Sequence, residues 1–408
     1  MNTSTPPRLA PPLLWALVMP LMVWLLSACS TQPAIQQAAA ELRGTGDLGV
    51  IIERADGRVQ IVDSSARSVL ATVEGLGDLS HASVVFSRDA RYAYVFGRDG
   101  GLTKVDLLKA EIAARVIQAG NAIGGSISHD GKLVVVQNYD PGGIKAFDAE
   151  TLELLAEVAT VTEDGTRSKV VGLADLSGNR FIYSLFEAGE IWISDFSNPR
   201  QPRTERFLGG KQPYDALVSG NGRYYIAGLF GEDGLAMMDL WHQEEGSRKI
   251  LSGYGKGEAP LPVYKMPHLR GWSLAGGRAY LPAIGRHEVL IVDTDSWQEV
   301  GRVAVKSQPV FVMARPDGRE IWVNFAFPDN GWVQVIDTER MEVSHTLQPG
   351  RGILHMEFLS KGNEVWLSAR DDNKVWVYDT ASKQPITSLD SASPSGIFFT
   401  TRAGRSGF

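Results

Sequence analysis

A unit of roughly 42 to 47 residues recurs along the chain, and this period restricts the fold more than any other feature of the sequence. It is clearest in VVFSRDARYAYVFGRDGGLTKVD (84–106), SISHDGKLVVVQNYDPGGIKAFD (126–148) and VMARPDGREIWVNFAFPDNGWVQVID (312–337). Each copy contains an apolar strand, a polar turn, a second β-rich strand, a loop with Gly or Asp, and a third strand that ends in an apolar residue and Asp. The apolar residues alternate with polar ones, as in strands, and do not follow helical spacing.

An aspartate closes the third strand of every copy. These residues are Asp63, Asp106, Asp148, Asp195, Asp239, Asp293, Asp337 and Asp379. Eight copies with four short strands each are typical of an eight-bladed β-propeller, an all-β fold. We assign the aspartates a structural role, in which they cap the turn after the third strand.

The two ends of the chain predict how the ring closes. The first copy, GVIIERADGRVQIVD, lacks an inner strand before it, and PSGIFFTTR (394–402) is an apolar strand with no partner after it. Pairing of this C-terminal strand with the N-terminal copy completes an eighth blade and removes an exposed sheet edge. Residues 47–404 are therefore predicted to form one propeller with a central channel.

The first 28 residues have the features of an export signal. Arg8 precedes the apolar stretch LLWALVMPLMVWLL, and Leu26-Ser27-Ala28 stands directly before Cys29, the only cysteine. This arrangement resembles a bacterial lipobox, in which Cys29 is lipidated and becomes the mature N-terminus. A plain signal peptide or a short membrane anchor is the alternative. We expect a signal peptide over 1–28, a lipidated tether over 29–46, and a periplasmic protein anchored to the outer membrane.

Two histidines are predicted to face each other across the channel. When the copies are aligned on the turn after the inner strand, His81 stands ten residues before Arg91, and His268 ten residues before Arg278. They belong to the first and fifth copies, counted from the one that closes on Asp106. Because two blades that are four apart in a ring of eight face each other, the two histidines are predicted to lie opposite each other. Imidazole can bind iron or act as an acid or base near neutral pH.

Other polar residues gather at the same mouth in this alignment. Tyr214 and Asp215 follow a proline at the start of an inner strand. The remaining members are cationic or imidazole side chains, namely Arg167, Lys169, Arg270, Arg351 and His355. A cationic rim suits a ligand with several carboxylates. Asp175, in VVGLADLSG, is the acidic residue inside an expected inner strand, where a carboxylate is costly unless paired. An acid–base role and a structural hydrogen bond are both open for it.

The segment LSHASVVFSRDARYAYVFGRDGGLTKVDL (79–107) resembles the start of the heme d1 domain of cytochrome cd1 nitrite reductase, which is an eight-bladed propeller. GNEVWLSARDDNKVWVYD and SPSGIFFT extend the resemblance over roughly residues 47 to 402. The chain contains no CxxCH motif, so we expect no c-type haem domain. A lone propeller behind an export signal looks most like the heme d1 biosynthesis proteins of denitrifying bacteria.

This resemblance implies a ligand and roles for particular residues. It implies that the ligand or substrate is heme d1 or its precursor and that His81 binds the tetrapyrrole iron. His268 matches one of two distal histidines, and Tyr214 stands where the other would be, so nitrite reduction itself is not expected. Asp175 is carried over as a further catalytic residue, and no nucleotide cofactor site is identified.

Three functions follow from the resemblance and the site. The leading one is a periplasmic enzyme of oxidoreductase type that modifies a late heme d1 precursor, in support of nitrite reductase maturation and denitrification. The alternative is a non-catalytic carrier that delivers the tetrapyrrole to nitrite reductase. A protein-binding scaffold is disfavoured by the opposed histidines. Expected partners are the tetrapyrrole, cd1 nitrite reductase, other heme d1 assembly proteins and the membrane, whereas the net charge of −7 argues against nucleic acid.

Overall fold

Eight antiparallel sheets of four strands each form the part of the chain that the computed structural model describes, residues 43–254 and 272–405. We number the blades from the sheet that closes on Asp106, as in the sequence alignment. The eighth blade contains the first three strands of the chain, β1 (Leu48–Glu53), β2 (Arg58–Asp63) and β3 (Ser68–Val73). Blade 1 consists of β4 (Ser83–Phe86), β5 (Tyr92–Phe96), β6 (Gly101–Asp106) and β7 (Glu111–Ile117).

The next three blades follow the same order from the inner to the outer strand. Blade 2 consists of β8 (Asn121–Ile127), β9 (Leu133–Asp140), β10 (Ile144–Asp148) and β11 (Leu154–Val158). Blade 3 consists of β12 (Val170–Leu176), β13 (Arg180–Leu185), β14 (Glu190–Asp195) and β15 (Arg203–Leu208). Blade 4 consists of β16 (Pro213–Val218), β17 (Tyr224–Leu229), β18 (Leu235–Asp239) and β19 (Ser247–Ile250).

The remaining blades complete the ring. Blade 5 consists of β20 (Ser273–Ala275), β21 (Arg278–Ala283), β22 (Glu288–Asp293) and β23 (Glu299–Ala304). Blade 6 consists of β24 (Pro309–Ala314), β25 (Glu320–Phe325), β26 (Val333–Asp337) and β27 (Glu342–Leu347). Blade 7 consists of β28 (Ile353–Phe358), β29 (Glu364–Ala369), β30 (Lys374–Asp379) and β31 (Pro385–Asp390), and β32 (Pro394–Phe399) is the inner strand of blade 8. Short 3-10 turns lie at Gln243–Glu245, Ile284–Arg286, Arg370–Asp372 and Thr400–Gly404.

The predicted closure of the ring is confirmed. β32 pairs antiparallel with β1, and Phe399 stands opposite Gly49. The Phe399 ring packs edge-on against Trp366 of blade 7, with ring centroids 5.3 Å apart, and both side chains are buried. The fold class is therefore the expected all-β propeller with eight blades.

The closing aspartates cap turns, as the repeat predicts. In each blade, a carboxylate oxygen accepts hydrogen bonds from backbone N–H groups two or three residues later. The pairs include Asp63 with Ala66, Asp106 with Leu108, Asp148 with Thr151, Asp195 with Ser197, Asp239 with Trp241, Asp293 with Ser296, Asp337 with Arg340 and Asp379 with Ser382. Such bonds satisfy donors that the strand ladder leaves without a partner.

The hydrophobic core lies between adjacent sheets, where buried tryptophans such as Trp192, Trp322 and Trp366 fill the spaces. The inner strands β8, β12 and β16 contact one another in sequence, as do β24, β28 and β32. Each inner strand is the first of its blade along the direction of the ring, so all of them run the same way through the channel. We call the end at which they begin the upper mouth and the other end the lower end.

Several predicted features fall outside the described residues. They are the signal segment 1–28, Cys29 with most of its tether, His268 and Arg270. Within the described ranges, no helix has both the length and the apolar character needed to cross a bilayer.

Candidate functional site

His81 lies at the upper mouth, in the bend that leads into β4. Leu79 anchors this bend because its side chain is fully buried. Asp78 fixes the direction of the chain: its carboxylate accepts the N–H of Ser80 at 2.8 Å, and its carbonyl accepts the N–H of Arg98 at 2.8 Å. The fold thus places a half-buried His81 at the mouth, where the alignment predicts it. That His268 faces it stays a prediction, because His268 is not among the described residues.

Three arginines form what we call the cationic arc of the mouth. Arg54, Arg98 and Arg370 each lie one or two residues after the second strand of a blade, in blades 8, 1 and 7 respectively. Because second strands run upward toward the mouth, these turns lie beside the inner strand ends. Arg370 is paired with Asp371 at 2.8 Å, whereas Arg54 and Arg98 form no ion pair with any described residue.

Burial and neighbouring charges both act on the cationic arc. Burial lowers the pKa of Arg54, the nearby cation Arg370 lowers it further, and Asp78 and Asp371 offset only part of this effect. The pKa of Asp78 is lowered by the hydrogen bonds from Ser80 and by the charges of Arg98 and Arg54. The Asp78 carboxylate, in the bend that contains His81, therefore lies in the field of two half-buried guanidinium groups, those of Arg54 and Arg98.

On the other side of the mouth, blades 2, 3 and 4 contribute an aromatic wall made of Tyr139, Phe186, Tyr214 and Phe230. Phe186 packs edge-on against Tyr214 at 5.7 Å and lies 5.8 Å from Phe230, measured between ring centroids. The hydroxyl groups of Tyr139 and Tyr214 are hydrogen-bonded to each other. Burial raises the pKa of Tyr139 to about 12 and raises that of Tyr214 further. Both phenols are thus neutral hydrogen-bonding groups at physiological pH.

The cationic residues predicted from the sequence differ in their exposure and in their ion pairs. The ammonium group of Lys169 is 2.9 Å from Glu187 and lies 3.9 Å above the Phe186 ring, so it extends the aromatic wall. The side chain of Arg351 is 77% exposed and paired with Asp372 at 2.6 Å, which raises the pKa of Arg351. Arg167 is exposed, in the loop before β12. Lys169 and Arg351 therefore already form ion pairs, whereas Arg54 and Arg98 form none with the described residues.

His355 lies in the wall of the channel, between blades 7 and 8, rather than on the rim. Its Nδ1 accepts the N–H of Ile397 at 3.2 Å, and its ring stacks on Phe398 with centroids 5.5 Å apart. Burial lowers the pKa of His355 to about 4. The charge of Glu357 raises this pKa, and the charge of Arg402 lowers it. The imidazole is therefore neutral with its proton on Nε2, which makes it a hydrogen-bond donor.

Asp175 lies far from His81 along the channel. It is the sixth residue of β12, about 15 Å below the start of that strand at the usual rise per residue. One carboxylate oxygen accepts the hydroxyl of Ser126 at 3.2 Å, and the other is 3.8 Å from Arg88, which follows the lower end of β4. The structure therefore brings Asp175 to the lower end and does not bring it together with His81.

Several buried polar atoms near the inner strand starts have no hydrogen-bond partner in the described part of the chain. They are Ser83 Oγ in blade 1, Asn121 Oδ1 in blade 2, and both amide atoms of Gln308 in blade 6. Gln308 is only 3% exposed. Unused hydrogen-bonding capacity of this kind is costly in a folded protein and suits a site that binds a polar ligand. Together with the cationic arc and the aromatic wall, it fits a flat apolar ring with carboxylates at its edge.

Comparison with known proteins agrees with this geometry. The family model of the cytochrome D1 heme domain matches residues 43–403, almost all of the described propeller. The protein NirF of Pseudomonas aeruginosa is 59% identical over 94% of this chain and 97% of its own length. The chain belongs to the NirF family.

The chain is also similar to a second NirF and to a dihydro-heme d1 dehydrogenase. NirF of Stutzerimonas stutzeri is 58% identical over 94% of this chain and 97% of its own length. The dihydro-heme d1 dehydrogenase of Pseudomonas aeruginosa is 27% identical over 86% of this chain and 71% of its own. A solved structure described as dihydro-heme d1 dehydrogenase NirN in complex with DHE has a TM-score of 0.77 at 24% identity, and the match covers 89% of this chain and 77% of that one. That similarity shows a shared propeller fold.

The sequence pattern identified the mouth through His81 but did not identify Arg54 and Arg98 of the cationic arc. The alignment compared positions before the inner strands, whereas Arg54 and Arg98 come after second strands. The sequence does contain the information needed to find them, because second strands must end at the same mouth at which inner strands begin. Comparison of the first two residues after each second strand separates the arginines of blades 7, 8 and 1 from Phe186 and Phe230 of blades 3 and 4.

Proposed function

We propose that the protein binds a late precursor of heme d1 at the upper mouth and takes part in heme d1 biosynthesis. The observation that carries this proposal is the pair Arg54 and Arg98, which flank the bend of His81 without an ion pair to any described residue. Half-buried guanidinium groups gain strong hydrogen bonds when they bind carboxylates, which offsets the cost of their burial. A tetrapyrrole with several carboxylates supplies such partners.

The relatives support this ligand class. The matching family model describes a heme d1 domain, and one relative is named as a dehydrogenase of dihydro-heme d1. The NirN structure, which has the same fold, is described as a complex with DHE. On these grounds we propose that the ligand of this protein is a tetrapyrrole of the heme d1 type.

Each wall of the mouth has its own role in the proposed complex. His81 is the residue that would hold the tetrapyrrole iron, through an imidazole nitrogen. The cationic arc binds the carboxylates, and the aromatic wall packs against the apolar edge of the ring. His268 and Arg270 are proposed to complete the opposite side. When bound, the iron tetrapyrrole supplies a redox-active metal and a conjugated ring.

We further propose that the protein assists a modification of the bound precursor, with dehydrogenation of a side chain as the first candidate. Such a step forms a carbon–carbon double bond and releases two protons and two electrons. The electrons pass to an external one-electron acceptor, used twice. Tyr214 contributes a buried phenol at the mouth, whereas Asp175, which contacts Ser126 and Arg88 at the lower end, has a structural role in this proposal.

The test is an incubation of the purified protein with dihydro-heme d1 and an artificial electron acceptor, followed by absorption spectroscopy and mass spectrometry of the extracted tetrapyrrole. The proposal predicts a bound tetrapyrrole whose mass falls by two hydrogens. A reaction without protein and a reaction with His81→Ala serve as controls. Absence of any binding to the wild-type protein would refute the proposed function.

Binding with unchanged mass would instead identify the protein as a carrier. In that case the protein loaded with heme d1 transfers it to the heme d1-free form of cd1 nitrite reductase, and nitrite reduction reports the transfer. Free heme d1 at the same concentration is the control. Transfer no faster than from free heme d1 would exclude the carrier function and a direct partnership with the reductase.

The cellular location is a separate proposal. The lipobox-like sequence before Cys29 supports export to the periplasm and a lipid anchor in the outer membrane. Metabolic labelling with a fatty acid tests it: the wild-type protein should be labelled and found in the membrane fraction, and Cys29→Ser should be neither. A labelled Cys29→Ser variant would contradict lipidation at this residue.

A further inference from the structure

The inner strands of blades 4, 6 and 7 share a bulge just below the upper mouth. In each of them, two residues stand opposite one residue of the neighbouring strand. The shift falls between Pro213 and Ala216 in β16, between Pro309 and Val312 in β24, and between Ile353 and Met356 in β28. A bulge redirects a side chain relative to the regular ladder, and bulges are common next to binding sites.

The second residue of each bulge is the third residue of its strand, namely Asp215, Phe311 and His355. All three are half-buried. In β16 and β24 the third and fifth residues are both half-buried and the fourth is buried, as expected when alternate side chains face the channel. The rings of Phe311 and His355 meet edge-on at 6.0 Å. The half-buried third residues of these three inner strands are therefore an apolar ring, a neutral imidazole and a carboxylate.

That carboxylate lies within electrostatic range of the phenol pair in the aromatic wall. Asp215 directly follows Tyr214, whose hydroxyl is hydrogen-bonded to that of Tyr139. The charge of Asp215 raises the pKa of both phenols, and that of Arg98 lowers both. Within residues 43–254 and 272–405, Lys169 and Glu187 are further charged groups at this wall, and they form an ion pair.

We infer that Asp215 is the acid–base carboxylate of the tetrapyrrole site and that Tyr139 and Tyr214 are positioning residues for it. Asp215 exchanges a proton with the bound tetrapyrrole or with water bound beside it, and the neutral phenols keep their protons and supply hydrogen bonds. The inference deepens the proposed function and depends on it. It also separates Asp215 from Asp175, whose contacts with Ser126 and Arg88 lie at the lower end.

The experiment follows the absorption spectrum of heme d1 bound to the full chain as the pH is varied. The wild-type protein should show a spectral transition as the pH is varied, because a change in the charge of a nearby carboxylate changes the field at the macrocycle. Asp215→Asn should remove this transition, and Asp215→Glu should keep it at a shifted pH. Asp175→Asn is the matched control and should titrate like the wild-type protein. Tyr139→Phe should move the midpoint without removing the transition.

The possible results separate the two proposals. If the wild-type protein does not bind heme d1, the proposed function fails, and this inference fails with it. If heme d1 binds and Asp215→Asn titrates like the wild-type protein, or the wild-type protein shows no transition, the inference alone is overturned. Loss of the transition in Asp175→Asn, with retention in Asp215→Asn, would assign the role to Asp175 instead.

Discussion

Nη2 of Arg88 lies 3.8 Å from Oδ2 of Asp175, and this ion pair joins blade 1 to blade 3 at the lower end of the channel. The same guanidinium donates hydrogen bonds to the carbonyl of Ser128 in blade 2 at 2.6 Å and to that of Ala403 at 2.7 Å. Arg88 therefore connects three blades with the C-terminal turn. The negative charge of Asp175 offsets the cost of partly burying the Arg88 guanidinium group.

Asp175→Asn should lower stability and leave tetrapyrrole binding unchanged. Asparagine keeps an acceptor for Ser126 but removes the charge opposite Arg88, so we expect the free energy of unfolding to fall by about 1 to 3 kcal/mol. Urea unfolding measures the loss, and Asp233→Asn, at an exposed position, is the matched control. Weakened heme d1 binding in a variant of unchanged stability would show that Asp175 acts on the ligand.

The cationic arc should control affinity for carboxylated tetrapyrroles. Arg98→Gln and Arg54→Gln each remove one charged donor to a carboxylate, so we expect heme d1 affinity to fall roughly 5- to 20-fold per variant. The dependence of affinity on salt should also become weaker. Arg200→Gln, whose exposed side chain pairs with Glu153, should bind like the wild-type protein. Equal affinity in all of these variants would argue against the arc.

His355 should make the fold sensitive to acid. Its pKa is about 4 in the folded protein, below the usual value of 6.5, so the unfolded chain binds the proton more tightly. This contribution to stability is complete above pH 6.5 and is lost as the pH falls from about 6.5 to about 4, by up to about 3 kcal/mol. Urea unfolding across this range should show a smaller acid loss for His355→Asn than for the wild-type protein. Glu357 and Arg402, the charged neighbours, are present in both proteins, so parallel losses would refute the assignment.

Closure of the ring should depend on Phe399. Its ring is buried against Trp366, and truncation to alanine leaves a cavity between β32 and blade 7, so Phe399→Ala should cost about 3 to 5 kcal/mol. Phe327→Ala is the matched control, because the Phe327 side chain is 67% exposed. Thermal unfolding should separate the two variants clearly. Similar midpoints would mean that the β32 contact contributes little to stability.

The sequence predicts the fold well because the propeller signal is local and repeated. Alternating apolar residues, the turn before each second strand and the closing aspartates recur in every copy, so errors in one copy are corrected by the others. Ring closure follows from two incomplete copies at the ends of the chain. The position of His81 is predictable for the same reason, because it stands at a fixed offset from a repeated turn.

The site is less predictable because it depends on height along the channel and on side-chain partners. Asp175 and His355 lie in inner strands, and the alignment alone does not say how far they stand from the mouth. Lys169 and Arg351 carry the expected charge, but their counterions Glu187 and Asp372 come from other parts of the blade. The blade repeat has no position that encodes such pairs.

Binding of heme d1 to the His81→Ala variant tests the central claim most directly. The affinity and the absorption spectrum of the bound tetrapyrrole should both be compared with those of the wild-type protein. His345→Ala, at an exposed position in β27, serves as the control. We predict at least a roughly tenfold loss of affinity, a changed spectrum, and recovery of the original spectrum when imidazole is added. An unchanged affinity and spectrum in His81→Ala would contradict the account.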